Sequence, residues 1–279
     1  MRLRIGFSPC PNDTFIFDAL VNGKIDTLGI EFEPILADVE ELNKMAGEGK
    51  LDITKLSIGA YPFVSNQYII LDAGSALGKG VGPLLVSKTK INKPLESELS
   101  VAIPGAWTTA HFLLSLFYPQ LQNKRVALFS EIESMVQNEI VDMGLLIHEG
   151  RFTYAEKGLL MAADLGLEWE EKTRLPLPLG CICASRLLSA QTTKNVESLV
   201  RASLAYAFEN RDESNGYVLK HAQEMEIDVV RKHIDLYVNE YSLSLGSEGR
   251  QAISRMLEII SDLKPEIVVT QPIFTNFAS

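Results

Sequence analysis

The sequence predicts a two-lobed α/β protein with a cleft between the lobes. Short apolar strands alternate with helical segments up to about residue 147, the rhythm of sheets covered by helices. A strand, a proline-bearing turn, a threonine and a helix follow one another twice, at 3–21 and at 100–117. We expect mostly parallel sheets, with lobe 1 formed by 1–88 and 185–279, including the C-terminal helices, and lobe 2 by 89–184.

Composition narrows the class of function. The net charge is −10 and no basic stripe occurs, which argues against nucleic-acid binding. The first apolar stretch is broken by Ser8-Pro9-Cys10-Pro11, so it fits neither a signal peptide nor a membrane helix. Three cysteines without a disulfide framework agree with a reducing compartment. We therefore expect a cytoplasmic protein that acts neither on nucleic acid nor in a membrane.

The first lobe opens with a strand over 3–7 and a helix over 15–21, joined by a sharp turn. Pro9 and Pro11 end the strand, and Gly23 suits a left-handed helix C-cap. A helix amino end of this kind attracts carboxylate or phosphate groups. Three side chains of the turn are predicted to accept hydrogen bonds from first-turn amides: Asn12, Asp13 and Thr14.

The remaining elements follow from apolar periodicity. Strands are predicted over residues 30–35, 51–57, 68–71, 83–87, 100–103, 126–129, 143–147 and 179–184. Helices are predicted over residues 39–47, 110–117 and 132–140, and in a tail that starts near residue 195. Cys181 and Cys183 alternate on the last strand and should share one face, for which a buried strand is a simpler explanation than a metal site.

Polar residues stand at the predicted strand ends, where α/β sheets bind ligands. Ser57 ends one strand, and Thr108 and Thr109 follow another and cap the next helix. Hydroxyls and helix amides at these ends could bind one anion. Lys55 could add positive charge, although a lysine on a strand commonly faces solvent. Arg151 could pair with a ligand carboxylate, with a salt bridge to Glu149 or another acid as the alternative.

His148 directly follows the apolar strand over 143–147, so it is placed to act as a general base. The competing interpretation is a histidine that caps a loop or bonds to Glu149. His111, in the first turn of its helix, borders the cleft or lies on the surface. His221 and His233 are predicted to be solvated. No HExxH motif, CxxC pair or Asp-rich loop is present, so no metal is expected.

Four segments, taken in order, resemble the 1,4-dihydroxy-6-naphthoate synthases of the futalosine pathway of menaquinone biosynthesis: FSPCPNDTFIF, IPGAWTTA, GLLIHEGRFTY and LPLPLG. The resemblance runs from about residue 5 to residue 183. It implies a periplasmic-binding-protein-like (type II) fold, with two α/β lobes around a central cleft. It also implies a carbon–carbon lyase that converts cyclic dehypoxanthine futalosine into 1,4-dihydroxy-6-naphthoate without a metal or an organic cofactor.

The resemblance implies site residues as well. The histidine of LLIHEGRF, His148, is the proton acceptor. The motifs TTA and DITKLS place substrate contacts at Thr109, Ala110, Lys55, Leu56 and Ser57. Further candidates for contact with a small carboxylate substrate are Asn12, Asp13, Thr14, Thr108 and Arg151.

Three other functions remain open at this point. Chorismate dehydratase acts earlier in the same pathway on the same fold. A solute-binding protein would only capture an anion, and the expected absence of a signal peptide counts against it. A ligand-sensing regulatory domain has no helix-turn-helix or basic patch in its support. His148 discriminates between these classes, because binding alone needs no base at that strand end.

Overall fold

The computed structural model describes residues 1–91, 96–222 and 226–277. The chain forms two compact α/β units. The first comprises residues 1–78 and 178–279, and the second comprises residues 79–177. Within the described residues, no helix combines the length and the apolar character needed to cross a membrane.

The elements follow one another in three stretches. Residues 1–78 contain β1 (Arg2–Phe7), α1 (Pro11–Val21), β2 (Glu31–Leu36), α2 (Val39–Gly47), β3 (Ile53–Ser57), α3 (Tyr61–Val64), β4 (Tyr68–Ile70) and β5 (Ala76–Gly78). The second unit contains β6 (Leu84–Ser87), β7 (Val101–Ile103), α4 (Thr109–Phe117), β8 (Lys124–Val126), α5 (Phe129–Gln137), β9 (Met143–Leu146), α6 (Gly150–Thr153), β10 (Leu160–Asp164) and α7 (Leu165–Thr173). The chain then returns with β11 (Leu177–Ser185), α8 (Ala190–Glu209), α9 (Arg211–His221), α10 (Ile227–Tyr237), α11 (Glu240–Leu243) and α12 (Gly246–Leu263).

The first sheet has the strand order β2-β1-β3-β11-β4, with β5 pairing with β11. β1 runs parallel to β2 and β3, whereas β11 runs antiparallel to β3 and β4. Ile5 pairs with Ile53, so the carboxyl ends of β1 and β3 lie at one edge, and Gly180 of β11 pairs with Ser57 there. The prediction of mostly parallel sheets is wrong, because the returning strand β11 enters in the opposite direction.

The second sheet has the order β10-β6-β9-β7-β8 and is also mixed. β7 runs parallel to β8 and β9, and β6 runs antiparallel to β9 and β10. Val101 pairs with Met143, so the carboxyl ends of β7 and β9 lie at the same edge. Strand β6 pairs in this sheet, and β11 pairs in the first sheet. The boundaries between the two units therefore lie after residue 78 and after residue 177. The predicted boundaries, after residue 88 and after residue 184, lie later in the chain.

The turn after β1 differs from the prediction. Helix α1 begins at Pro11 instead of residue 15, because a proline suits the first helical position, where no amide donor is needed. Cys10 is the N-cap residue, and its side chain makes no capping hydrogen bond. Gly23 has φ 66° and confirms the predicted left-handed residue after the helix end. Helix α1 is buried from Pro11 to Leu20 and packs against α8.

The periodic apolar residues of the tail form the helix faces of the first unit's core, as predicted. The α8 stripe is buried: Val196, Leu199, Val200 and Leu204. The same holds for α10 and α12, with Val230, Ile234, Tyr237, Ile253, Met256, Leu257 and Ile260. The second unit has its own core, which joins β6, β7 and β9 to α5.

Candidate active site

Lys55 and Asp13 form a buried ion pair in the first unit. The Lys55 Nζ atom lies 2.9 Å from Asp13 Oδ1, and the side chains are 7% and 1% exposed. Apart from this ion pair, Lys55 Nζ has no hydrogen-bond partner among the described residues. The alternative that Lys55 faces solvent is therefore wrong. A buried ammonium with N–H groups to spare is suited to binding an anion.

The Asp13 carboxylate is held by the turn that precedes it. Asp13 Oδ2 accepts hydrogen bonds from the Ser8 amide at 3.0 Å and from Ser8 Oγ at 2.7 Å. Asn12 Nδ2 donates to Asp13 Oδ1 at 2.8 Å. Thr14 Oγ1 donates to the Cys10 carbonyl at 3.0 Å. The predicted capping role of these three side chains is thus wrong. Asp13 binds Ser8 and Lys55, Asn12 binds Asp13, and Thr14 donates to the Cys10 carbonyl.

Ser57 is fixed by Asn43, a fully buried residue of α2. Asn43 Oδ1 accepts from the Ser57 amide at 3.0 Å, and its Nδ2 donates to Ser57 Oγ at 3.1 Å. Because Ser57 Oγ accepts this bond, its own hydrogen can be donated to a ligand. The Leu56 side chain is fully buried, so Leu56 would reach a ligand through its backbone. Asn43 is not among the predicted site residues, although an amide beside Leu42 on the apolar face of α2 is a usable signal.

Gly180 makes room for Lys55. A Cβ atom at Gly180 would lie 3.0 Å from the Leu56 carbonyl oxygen and 3.1 Å from Lys55 Cε, closer than ordinary side-chain contact. The glycine of LPLPLG is therefore required by the path of the Lys55 stem. On the same strand, Cys181 Sγ lies 3.5 Å from Cys183 Sγ, which confirms that both face one side. Both thiols are buried and free, and burial raises the pKa of Cys183 well above its usual range.

In the second unit, His148 follows β9 after Ile147, as predicted. Its backbone has φ 56°, a left-handed conformation that costs a non-glycine residue about 1 kcal/mol or more. The Phe129 ring contacts the imidazole edge-on, with centroids 4.9 Å apart. Strain held at one histidine at a strand end is a common feature of functional sites.

Helix α4 begins at the same sheet edge as His148, because β7 and β9 are parallel neighbours. Thr108 Oγ1 accepts from the His111 amide at 3.2 Å, which confirms the predicted cap. Thr109 and Ala110 are buried in the first turn. His111 is half-buried, with Nδ1 2.8 Å from the Ala106 carbonyl oxygen. The capped first turn thus presents helix N–H groups at this edge.

Arg151 is engaged by protein groups. Its Nη1 donates to the Gly82 carbonyl at 2.6 Å and its Nη2 to Asp164 Oδ2 at 2.8 Å. The alternative of a salt bridge with an acid is confirmed, and the acid is Asp164. Arg151 therefore ties α6, which follows His148, to the segment before β6 and to the end of β10. Among the residues that the structure describes, no group of three or more His, Cys, Asp or Glu side chains is arranged to hold a metal ion.

Comparison with solved structures identifies the fold. A crystal structure of a protein from Archaeoglobus fulgidus superposes with a TM-score of 0.90 at 34% identity, covering 95% of this chain and 98% of that one. The periplasmic aliphatic sulphonate-binding protein of Escherichia coli superposes with a TM-score of 0.62 at 14% identity, covering 100% and 94%. The alkanesulfonate-binding protein of Xanthomonas axonopodis gives 0.70 at 12%, covering 98% of each chain. The predicted periplasmic-binding-protein-like fold is confirmed.

Sequence comparison identifies the family. The profile of a menaquinone-biosynthesis family matches residues 3–262. The 1,4-dihydroxy-6-naphthoate synthase of Thermus thermophilus is 48% identical over 254 residues, which cover 91% of this chain and 92% of that protein. The synthase of Streptomyces coelicolor is 41% identical over 263 residues, 91% of each chain. The resemblance carried by the four segments is thereby confirmed, and the chain belongs to the menaquinone-biosynthesis family as an enzyme of that pathway.

Proposed function

We propose that this enzyme is a carbon–carbon lyase that converts cyclic dehypoxanthine futalosine into 1,4-dihydroxy-6-naphthoate, with His148 as the proton acceptor. The names of the two relatives and the four matching segments support the reaction. The observation that carries the role of His148 is its position, in left-handed backbone at the carboxyl end of β9 and at the edge where α4 begins. Simple capture of an anion gives no reason for a strained histidine at this place.

The step assigned to His148 is the removal of a proton from the cyclised, sugar-derived part of the substrate. Elimination of that part makes the second ring aromatic, so formation of the naphthalene supplies the driving force. The protein then has to orient the substrate and place one base. Neutral imidazole is an effective base at the pH of the cell, because the ordinary pKa of histidine is about 6.5.

In the first unit, we assign substrate-carboxylate binding to Lys55 and Ser57, with Leu56 contributing its backbone. Support comes from the buried ammonium with spare N–H groups and from the Ser57 hydroxyl, whose orientation is set by Asn43. In the second unit, Thr109 and Ala110 bind polar groups of the substrate through the first turn of α4. Arg151 is assigned to holding α6 in place, because both of its described bonds go to the protein.

We also place the enzyme in the cytoplasm, where the thiols of the three buried cysteines remain reduced. Its substrate is a small carboxylate.

The reaction is tested by incubating the purified, chelator-treated protein with cyclic dehypoxanthine futalosine and measuring 1,4-dihydroxy-6-naphthoate by mass and absorbance. Chorismate is offered in a parallel incubation. We expect the naphthoate product from the first incubation and no dehydration product from the second. Turnover of chorismate would show that the enzyme is a chorismate dehydratase instead. Tight binding of carboxylates without turnover of either compound would show that the protein only binds its ligand.

A further inference from the structure

His233 is buried in the first unit, which contradicts the predicted solvated position. It is 0% exposed and lies on the inward stripe of α10 with Val230, Ile234 and Tyr237. This spacing of i, i+3, i+4 and i+7 places a histidine among core residues. Its ring contacts the Tyr237 ring, with centroids 4.7 Å apart. The proposed chemistry gives this titratable side chain no role.

Two hydrogen bonds and one ion pair link His233 to Lys55. His233 Nε2 lies 3.1 Å from Asn12 Oδ1, Asn12 Nδ2 lies 2.8 Å from Asp13 Oδ1, and this same oxygen lies 2.9 Å from Lys55 Nζ. Three segments that are distant in sequence thus form one continuous path from α10 through the first turn of α1 to β3.

The donor and the acceptor in both hydrogen bonds of this path follow from the chemistry of the groups. An ionised carboxylate only accepts, so the Asn12 group that faces Asp13 has to be the NH₂ group. The Asn12 carbonyl oxygen therefore faces His233, and His233 Nε2 has to carry a hydrogen. The Asp13 carboxylate thus sets the orientation of the Asn12 amide, and a histidine with a hydrogen on Nε2 keeps the Asn12 oxygen paired in that orientation.

We propose that His233 is a positioning residue for the reaction, which orients the Asn12 amide and, through Asp13, the Lys55 ammonium. This inference rests on the proposed role of Lys55 in substrate binding. Without a donor at position 233, the buried Asn12 oxygen loses its partner, and the amide gains by rotating away from Asp13. Asp13 Oδ1 then keeps one of its two donors, and the ammonium is no longer held in one direction.

The test compares His233→Leu, which removes the donor, with His233→Gln, whose Nε2 hydrogens can replace it. His221→Leu, a half-buried histidine of the neighbouring helix α9, is the matched control. We expect His233→Leu to raise KM about tenfold and to change kcat by less than about twofold. His233→Gln should restore KM to within about threefold of wild type, and His221→Leu should leave it unchanged.

Combining His233→Leu with Asn12→Ala should raise KM no further than either change alone, because both act on one path. A wild-type KM in folded His233→Leu would overturn the proposal, as would full additivity of the two changes. A structural role alone would lower the free energy of unfolding and leave KM unmoved.

A measurement without substrate separates this inference from the proposed reaction. Long-range ¹H–¹⁵N spectra of protein labelled in histidine, assigned with His233→Gln, report which ring nitrogens are protonated. We expect a protonated Nε2 at His233, and an unprotonated Nε2 would overturn the bond directions whatever the enzyme does. Failure of the wild type to convert cyclic dehypoxanthine futalosine, with Nε2 protonated, would overturn the assigned reaction and with it the functional half of the inference.

Discussion

Lys55 and Asp13 form an ion pair, 2.9 Å long, that is almost completely removed from water. Asp13 Oδ2 is occupied by two donors of Ser8, and Oδ1 faces both Asn12 and Lys55. Removing one partner of such a pair leaves an uncompensated buried charge. The pair therefore couples the stability of the first unit to its capacity to bind an anion.

Asp13→Asn should lower the free energy of unfolding by about 3–5 kcal/mol, because the Lys55 ammonium stays buried without its counter-charge. The double variant Asp13→Asn with Lys55→Met should recover much of that loss, since no buried charge remains. Its KM should nevertheless stay raised, because the ammonium is gone. Urea unfolding and steady-state kinetics measure both effects.

The exposed pair Arg255–Glu258 is the control, with a distance of 3.0 Å between its charged atoms. Glu258→Gln should change the free energy of unfolding by less than about 1 kcal/mol. An Asp13→Asn variant as stable as the wild type would contradict the assignment of a buried, coupled pair.

Gly180→Ala should destabilise the first unit by about 1–3 kcal/mol, because its Cβ would meet the Leu56 carbonyl oxygen and the Lys55 stem. Displacement of Lys55 should also raise KM. Gly216 in α9 has open space around its Cβ position, so Gly216→Ala should stabilise by about 0.5–1 kcal/mol without affecting KM. Equal effects of the two changes in thermal unfolding would argue against a spacing role for Gly180.

Arg151→Lys should lower kcat more than it raises KM. A lysine ammonium cannot reproduce the two-armed contact of the guanidinium with Gly82 and Asp164, so the segment after His148 loses an anchor. The loss of one such bond should cost about 1–2 kcal/mol of stability. Asp164→Asn should produce a similar change in kcat. An unchanged kcat in both variants would show that this anchor does not position His148.

Tyr68 predicts how stability responds to alkaline pH. Its hydroxyl donates to the Leu51 carbonyl at 2.7 Å, and burial raises its pKa to about 12. The unfolded chain releases this proton near pH 10 and the folded chain only near pH 12. The contribution of Tyr68 to the free energy of unfolding is thus fully present below pH 10 and is lost as the pH rises towards 12.

Tyr68→Phe should flatten this decline, because the side chain no longer ionises. The remaining decline comes in part from Tyr61, whose pKa burial also raises. Urea unfolding at a series of alkaline pH values measures the slope. A slope equal to that of the wild type would contradict the assignment.

The features that the sequence predicts correctly depend on neighbouring residues. The Thr108 cap, Gly23 after α1, the strand before His148 and the apolar stripes of the tail all follow from local chemistry or periodicity. The burial and the partners of a residue cannot be predicted in this way when they depend on contacts with distant parts of the chain. Lys55 is buried because a glycine far along the chain gives it space, and Asp13 forms an ion pair with it although its position suggests a helix cap.

The roles of Asn43 and His233 could not be predicted from the sequence for a related reason. Each is a polar residue on the apolar face of a helix, and its partner comes from a different segment. Periodicity identifies the face as buried, but the partner that makes a polar residue acceptable there is visible only in three dimensions. A polar residue within an apolar stripe is therefore the signal to search for.

The measurement that tests the central claim most directly is the turnover of cyclic dehypoxanthine futalosine by His148→Asn. Asparagine tolerates the left-handed backbone found at this position, so the fold should be kept while the base is lost. We predict substrate binding within about threefold of wild type and a kcat lowered about a hundredfold or more. A kcat equal to that of the wild type would show that His148 is not the proton acceptor.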